Sequence, residues 1–332
     1  MNRIGETLRR LGALALLCAG AMIATHAAHA QADTYPNHPV RLVVPYPVGG
    51  GGDTVARPLT LYMSERMGQR IIVDNHGGAN GNIGMDMVAK APPDGYTLAL
   101  ALTSQLAVNQ SLYRNLPYDP VKDFEPVSLL ASAPYFLVVH PSVPVKTLAE
   151  FIKLVKANPG KYTYGSSGNG SGPHLSMELL KSMAGLDLVH VPFKGTGPAM
   201  PALLAGQVNA MFASYGVASQ QIKAGKLRVL AVSTVQRAPS MPNVATIAEA
   251  GVPGYESNVW YALLAPRGTP RPIVAKLSAE IAELIKNSDL RKRFMFDGIV
   301  PVGSTPEALG AYIQSESVKW SAIVKRSGAT ID

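Results

Sequence analysis

Three glycine-rich loops carry most of the residues that could contact a ligand. They are Pro45–Thr54 (PYPVGGGGDT), Gly77–Gly84 (GGANGNIG) and Tyr164–His174 (YGSSGNGSGPH), and each lies between a predicted strand and a predicted helix. A helix begins with backbone N–H groups that lack partners within the helix, and its dipole places positive charge at the same end. A loop that leads into such an end can bind an anion through backbone amides. The spacing therefore predicts three loops suited to anion binding.

The first loop is the richest in backbone donors. Its four consecutive glycines, Gly49–Gly52, lose so much conformational freedom on folding that ligand binding is favoured over a plain turn, which stays the alternative. Asp53 is predicted to cap the next helix with its side chain. Pro58 has no amide for the helix ladder, so we expect an irregular first turn or a later helix start.

Serine hydroxyls determine the character of the third loop. Ser166, Ser167 and Ser171, together with backbone amides, form a neutral surface rich in hydrogen-bond donors, and we expect Ser166 and Ser171 to bond a ligand directly. His174 is the histidine beside this loop, at the start of the following helix. Open α/β sheets bind ligands at the carboxyl ends of their strands, so all three loops should face one cleft.

The same loops match no catalytic or cofactor motif. The first loop has no G-x-G-x-x-G spacing in any register, and the third lacks the lysine of a phosphate-binding P-loop. No loop serine has the two glycines of a hydrolase elbow, and no histidine pair has metal-ligand spacing. Asp53 is the one carboxylate in the loops. The sequence predicts a binding protein without catalysis, metal or cofactor, with an exported enzyme as the alternative.

The N-terminal segment predicts export. Three arginines precede an apolar run, Leu11–Ile23, and Ala28-His29-Ala30 has the small side chains of a cleavage site. We therefore expect residues 1–30 to form a cleaved signal peptide, which contains the single cysteine of the chain. No later apolar stretch is long enough to cross a bilayer, so the exported protein is expected to be soluble.

Composition is typical of a folded protein that handles anions. The chain has 332 residues, of which 47% are hydrophobic and 16% charged, and its formal net charge is +8. Its length suggests about two domains at roughly 150 residues each. The basic residues are scattered along the chain, whereas nucleic-acid binding needs them clustered, so no nucleic-acid partner is expected.

Strands that alternate with helices must position these loops. Apolar runs predict strands at Val40–Pro45, Arg70–Val73, Thr97–Leu102, Tyr135–His140, Tyr162–Tyr164, Val208–Phe212 and Leu227–Ser233. The spacing of Leu148, Phe151, Ile152 and Val155 predicts a helix that opens with a capping box at Thr147 and Glu150. A second helix is predicted from Thr305-Pro306, with proline at its first position. This alternation indicates an α/β fold with mainly parallel sheets.

Two long apolar segments indicate how the domains are connected. Val127–Val139 and Val259–Pro266 show little helical period and are flanked by prolines, so each is interpreted as an extended segment between domains. Two crossings imply that the chain leaves the first domain and returns to it. The predicted first domain is discontinuous, 31–133 plus 256–332, and the second is inserted at 134–255.

In these loops and in further segments along its length, the chain resembles the Bug-type receptors, the extracytoplasmic solute-binding components of tripartite tricarboxylate transporters. The resemblance covers nearly the whole chain after residue 30. It is specific because its segments occur together and in order: Tyr35–Arg57, Gly77–Gly84, Pro92–Leu98 (PPDGYTL), Leu116–Val127 (LPYDPVKDFEPV), Tyr164–Leu180, His190–Gly195 (HVPFKG), Gly225–Thr234, Glu249–Glu256 (EAGVPGYE) and Ala265–Pro270.

This resemblance implies a function and a site. It implies a monomeric periplasmic protein whose two α/β lobes close on a small carboxylate and hand it to integral-membrane permease subunits. A ligand-sensing partner of a two-component sensor is an alternative role. The positions that it assigns to the ligand site, with His174 added from its place beside the third loop, are Tyr46, Val48, Gly49, Gly50, Asp53, Thr54, Ala79, Asn80, Thr103, Ser104, Gln105, Ser166, Ser167, Gly168, Ser171, His174, Lys194 and Ser214. Val48 stands where the family has proline, alanine or glycine, and is expected to alter which ligand fits.

Overall fold

The computed structural model describes residues 35–287 and 289–327, and in this part strands alternate with helices. The predicted signal peptide at residues 1–30 lies outside the described residues. The described residues form ten strands: β1 (Val40–Val44), β2 (Ile71–Asn75), β3 (Thr97–Leu102), β4 (Phe124–Val139), β5 (Thr163–Ser166), β6 (Val189–Pro192), β7 (Ala210–Ser214), β8 (Arg228–Val232), β9 (Asn258–Pro266) and β10 (Val300–Pro301).

The described helices fall between and after these strands. They are α1 (Gly51–Met67), α2 (Asn82–Ala89), α3 (Asn109–Leu112), α4 (Leu148–Lys156), α5 (Gly172–Ala184), α6 (Thr196–Leu204), α7 (Tyr215–Lys223), α8 (Arg271–Asn287), α9 (Asp289–Phe296) and α10 (Pro306–Ser327). Short 3₁₀ and π segments, Ala79–Gly81 and Ser104–Val108, precede α2 and α3. Among the described residues, no helix combines the length and hydropathy that crossing a bilayer requires.

One continuous sheet joins the two halves of the molecule in the order β2-β1-β3-β9-β4-β7-β5-β6, and β8 and β10 both pair with β4. Strands β1, β2 and β3 are parallel to one another, as are β5, β6 and β7. Strands β4 and β9 pair antiparallel with each other and with their neighbours. The predicted α/β class is confirmed, and the antiparallel pairs come from the two segments interpreted as crossings.

The long strand β4 shows why those segments are extended. From Phe124 to Pro134 it pairs with β9, and from Tyr135 to Val139 it pairs with β7 on one side and β8 on the other. Both strands are almost wholly buried, which explains their near-continuous apolar sequences. The last pair between them, Pro134 with Asn258, marks the point where β4 stops pairing with β9 and begins to pair with β7. The domain boundaries themselves stay a prediction.

Local capping signals are reproduced at two helices. Thr147 Oγ1 accepts a hydrogen bond from the Glu150 amide at 3.2 Å, and the Glu150 carboxylate accepts one from the Lys146 amide at 2.6 Å. At the start of α10, Thr305 Oγ1 accepts from the Ala308 amide at 3.2 Å. Strands β6 and β10 were not predicted, because segments of four and two residues are too short to show a period.

The start of α1 differs from the prediction in two ways. Its N-cap is Gly50, with extended backbone, so the interpretation of Asp53 as the N-cap residue is wrong. The helix also begins at Gly51 and continues through Pro58, so of the two effects expected of Pro58, an irregular first turn or a later start, the later start is wrong. The buried face that includes Val55 and Leu59 holds the helix against the sheet, which compensates for the one amide that proline removes.

A buried carboxylate ties the C-terminal helix to a crossing strand. Glu316 on α10 is 5% exposed, and its Oε2 accepts hydrogen bonds from Trp260 Nε1 on β9 and Trp320 Nε1, both at 2.9 Å. Trp260 also donates its amide to Thr103 Oγ1 at 2.9 Å. These bonds attach α10 to the same half of the sheet as β1–β3, although more than two hundred residues separate α10 from these strands in sequence.

Candidate functional site

A cavity of about 110 Å³ lies where the ends of both parallel strand sets meet β4 and β9. Its walls combine backbone, hydroxyl and aromatic groups from both halves of the sheet. The lining residues are Tyr46, Pro47, Val48, Gly50, Gly51, Gly52, Leu102, Ser104, Tyr135, Ser167, Gly172, Pro173, Lys194, Gly195, Thr196, Gly197, Pro198, Met211, Phe212, Ala213, Ser214, Val259 and Tyr261.

Four helices present their N-termini to this cavity. Helix α1 contributes Gly50–Gly52, α5 contributes Gly172, α6 contributes Thr196–Pro198, and α7 contributes its N-cap residue Ser214. Each helix has nine residues or more, so each brings unpaired first-turn amides and the positive end of its dipole. Their convergence makes the cavity attractive to an anion without a cluster of basic side chains.

Lys194 is the one charged side chain among the lining residues that the structure describes, and it is exposed. Among the described residues, no Asp or Glu side chain lines the cavity. Thus the full positive charge stands at the rim, while neutral hydroxyls and amides face the interior. The arrangement suits reversible capture of an anion by neutral donors, because no buried ion pair has to be broken on release.

Asp53 lies behind the wall and organises the first loop. Its carboxylate accepts hydrogen bonds from the Gly49 amide at 2.7 Å, Asn75 Nδ2 at 2.9 Å and Arg57 Nη2 at 3.1 Å. Burial alone would raise the pKa of the Asp53 carboxyl, but these three donors lower it below its usual value overall. The ionised side chain therefore holds the loop that precedes α1.

Replacing Asp53 with alanine is expected to lower the free energy of unfolding by about 0.5–2 kcal/mol, the range for losing a side-chain acceptor at a helix start. The Gly49 amide and Asn75 lose their acceptor, whereas the lining groups stay in place. Urea denaturation measures the stability loss, and calorimetric titration measures ligand affinity on the same protein. A variant that keeps wild-type stability but binds more weakly would show instead that Asp53 contacts the ligand.

The second loop, Gly77–Gly84, lies outside the cavity lining and supports the wall that contains Tyr46. Ala79 and Asn80 adopt left-handed backbone conformations, with φ of 47° and 53°. Asn80 Oδ1 accepts from the Tyr46 hydroxyl at 3.1 Å, and its carbonyl accepts from Gln105 Nε2 at 2.7 Å. Asn80 Nδ2 donates to Asn109 Oδ1 at 2.8 Å. These bonds offset the strain of the loop and hold the Tyr46 ring, which does line the cavity.

The third loop turns its serine hydroxyls inward. Ser166 and Ser171 Oγ donate to the Gly168 carbonyl at 3.1 and 2.7 Å, and both residues are buried. The Gly170 amide donates to His174 Nδ1 at 3.0 Å. In this structure the hydroxyls of Ser166 and Ser171 stabilise the loop, and Ser167 is the serine of the loop that lines the cavity.

A pair of stacked histidines supports this loop. The rings of His174 and His190 are stacked with centroids 4.1 Å apart, and His190 Nε2 lies 2.7 Å from Ser166 Oγ. Burial lowers the pKa of His174 to about 4 and that of His190 to about 3. Since His174 Nδ1 accepts the Gly170 amide, its neutral ring carries the proton on Nε2.

The structure places some of the predicted site residues in the cavity lining and the others outside it. Those that line the cavity are Tyr46, Val48, Gly50, Ser104, Ser167, Lys194 and Ser214. Those outside the lining are Gly49, Asp53, Thr54, Ala79, Asn80, Thr103, Gln105, Ser166, Gly168, Ser171 and His174. Which of them contact a ligand stays a prediction.

Several lining residues were not predicted from the sequence. Tyr135 and Tyr261 lie within the crossing strands, and Thr196 and Gly172 stand at helix starts next to predicted residues. The helix starts could have been found by following each loop into its helix. The sequence around the two tyrosines does not show that they line a cavity, because apolar strand residues are interpreted as core residues unless the partner strands are known.

Comparisons with known proteins agree on one family. The sequence model described as "Tripartite tricarboxylate transporter family receptor" matches residues 55–329. Protein BugT of Bordetella pertussis is 36% identical over 315 residues, which cover 94% of this chain and 97% of BugT. A solved R. palustris protein with adipate has a TM-score of 0.86 at 37% identity, over 89% of this chain and 99% of that one. MatC from Rhodopseudomonas palustris, with bound malate, has a TM-score of 0.81 at 37% identity, over 87% of this chain and 100% of MatC.

Proposed function

Since the chain belongs to the receptors of the tripartite tricarboxylate transporter family, we propose that its cavity captures a small carboxylate in the periplasm and delivers it to integral-membrane permease subunits. The family and its solved relatives are binding proteins, and we extend this to the present chain as a receptor without catalytic activity. No cofactor or metal is part of the proposal.

The observation that carries this proposal is the convergence of four helix N-termini on one cavity. Unpaired amides at these ends can each donate to a carboxylate oxygen, and the dipoles favour its negative charge. The hydroxyls of Ser104, Ser167 and Ser214 add neutral donors to the same walls. A carboxylate is the small anion that also tolerates the apolar contacts offered by Leu102 and Phe212.

Two solved relatives support the ligand class. One is described with adipate and the other with malate, and both ligands are small carboxylates. At 37% identity and TM-scores above 0.8, these relatives have the fold that surrounds the present cavity. The proposal therefore extends carboxylate binding to this chain, without choosing a particular acid.

We further propose that the halves of the molecule act as lobes that close on the ligand. Lobe 1 would comprise 31–133 plus 256–332 and lobe 2 would comprise 134–255, joined by β4 and β9. The pairing of β4 with β9 ends at Pro134 and Asn258, so bending of the chain there would disturb few strand pairs. Removal of residues 1–30 as a signal peptide would release the protein into the periplasm.

A thermal-shift screen tests the carboxylate proposal. Purified protein is melted with malate, adipate, citrate, glutamate, benzoate and matched primary amides as uncharged controls. A ligand at 100 times its Kd stabilises the folded protein by about 2.7 kcal/mol, which is visible as a raised Tm. We expect at least one carboxylate to raise the Tm, its amide to have no effect, and the acid to be recovered unchanged. Equal shifts with acid and amide, or none with any acid, would contradict the proposal.

A further inference from the structure

Two buried tyrosines of the cavity wall have hydroxyl groups without a protein partner. Tyr135 on β4 is 7% exposed and Tyr261 on β9 is 2% exposed, and both line the cavity. Over the ranges 35–287 and 289–327, neither hydroxyl has a hydrogen-bond partner within the chain, and neither oxygen is among the fully buried atoms that lack one. Both hydroxyls therefore reach open space in the cavity. A buried tyrosine normally bonds its hydroxyl to a protein group or to water.

Other buried tyrosines of the same chain follow that rule. The hydroxyl of Tyr35 donates to the Gly95 carbonyl at 2.7 Å, and that of Tyr255 donates to the Ser176 carbonyl at 2.7 Å. Tyr118 donates to the Gln105 carbonyl at 2.8 Å. The contrast indicates that the cavity tyrosines are kept for a partner that is not part of the chain.

The glycines at two helix starts show where each hydroxyl points. A Cβ added at Gly172 would stand 2.1 Å from the Tyr135 hydroxyl oxygen, and one added at Gly51 would stand 3.1 Å from the Tyr261 hydroxyl oxygen. Tyr135 therefore lies against the first residue of α5, and Tyr261 against the first residue of α1. Each hydroxyl lies beside the N-terminal amides of a different helix, so the cavity has two separate groups of hydrogen-bond donors.

Both hydroxyls are available as donors at all physiological pH values. Burial raises the pKa of each phenol above its usual value, and the neighbouring Tyr46 raises both further, so the two phenols stay neutral. A neutral phenol donates one hydrogen bond, which suits a carboxylate or hydroxyl oxygen.

We propose that Tyr135 and Tyr261 each donate a hydrogen bond to the bound carboxylate, at two different places, so that the receptor prefers acids with a second oxygen acceptor. The inference rests on the proposed function, since it assumes that a carboxylate occupies this cavity. It explains why Gly172 and Gly51 begin their helices: any side chain there would displace a phenol or narrow its approach to the ligand.

Phenylalanine substitutions test the inference, because they remove only the hydroxyl oxygen. Calorimetric titration of wild type, Tyr135→Phe and Tyr261→Phe is carried out with malate and adipate, and with butanoate and hexanoate as probes with one carboxylate. A hydrogen bond to a charged acceptor corresponds to roughly a 10-fold to 100-fold change in affinity. We expect both substitutions to weaken the binding of the dicarboxylates by such factors. For each monocarboxylate that binds, we expect only one of the two substitutions to weaken its binding.

Thermal melts distinguish ligand contact from a structural role. Without ligand, Tyr135→Phe and Tyr261→Phe should melt no lower than wild type, because no internal hydrogen bond is lost. The matched control is Tyr35→Phe, which loses its bond to Gly95 and should melt lower with unchanged affinity. If wild type binds a dicarboxylate and both cavity variants bind it equally well, the inference is wrong and the proposed function stands. An acid that raises the Tm in the thermal-shift screen takes the place of malate and adipate in this test if wild type binds neither of them. If no acid of that screen or of these four binds, the proposed function fails, and the inference with it.

Discussion

Replacing Gly50 with valine is expected to abolish carboxylate binding while leaving a folded protein. Gly50 is the N-cap of α1, with φ of −82° and ψ of 178°, an extended conformation that any residue adopts. A Cβ at this position would meet only the Pro47 carbonyl, at 3.4 Å, so the backbone accommodates it. The branched side chain would instead occupy cavity space beside the amides of Gly51 and Gly52. We expect at least a 100-fold loss of affinity, as several donors are blocked together.

Calorimetric titration with the best acid from the thermal-shift screen measures this loss, and thermal melting without ligand shows whether the fold is kept. The matched control is Gly310→Val on α10, where an added Cβ makes an ordinary contact with Pro126 at 3.8 Å and no cavity residue is near. Wild-type affinity in Gly50→Val would remove the first loop from the binding mechanism.

Mild acid is expected to destabilise the protein through the histidines beneath the third loop. The folded-state pKa of His174 is about 4, because burial disfavours its charged form, whereas its ordinary value is about 6.5. Between these values the unfolded chain binds a proton that the folded chain does not. The stabilisation from a neutral His174 is therefore present above pH 6.5 and lost as pH falls towards 4. A shift of this size corresponds to a loss on the order of 3 kcal/mol.

His190 acts in the same direction over a window that extends to about pH 3. Protonation also has a local consequence, because a charged His174 ring can no longer accept the Gly170 amide. The third loop should then loosen before the whole chain unfolds. We expect ligand affinity to fall in the same pH range as stability.

Urea denaturation between pH 7 and 4.5 measures this effect, above the range in which most carboxylates titrate. His174→Gln keeps a neutral acceptor for the Gly170 amide and should flatten the pH dependence. His38→Gln, at an exposed position, serves as the control and should retain the wild-type slope. Identical slopes in wild type and His174→Gln would show that another group governs the acid sensitivity.

Local features of the fold were predicted correctly because they depend on neighbours in sequence. The capping bonds at Thr147 and Thr305 join residues three apart, and strand β3 was predicted at its observed bounds. The crossing strands were found because their prolines and continuous apolar runs exclude an amphipathic helix. The glycine loops were identified as helix starts by the same local reasoning, and two of the four helix N-termini at the cavity, those of α1 and α5, follow the first and third of these loops.

The direction of each side chain depended on residues far away in sequence. Ser166 turns inward because His190 on β6 lies within hydrogen-bond distance of its hydroxyl, and Asp53 is held in place because Asn75 approaches from β2. Tyr46 and Gln105 hold Asn80 in the same way, and whether Asn80 also contacts a ligand stays a prediction. Hydroxyl, amide and carboxylate groups bond whichever partners the packed strands bring near, and periodicity carries no information about that choice.

Local backbone chemistry and composition are enough to predict the fold class, the glycine loops at strand ends and a site of neutral donors from the sequence. The convergence of four helix dipoles on one cavity follows from the folded structure, as does the position of Lys194 as the single charged side chain of its lining within the described ranges. The same holds for Tyr135 and Tyr261, which reach that cavity from strands whose sequences are typical of a core. Strand pairing between β4, β7 and β9 places these residues together, whereas no spacing along the chain connects them.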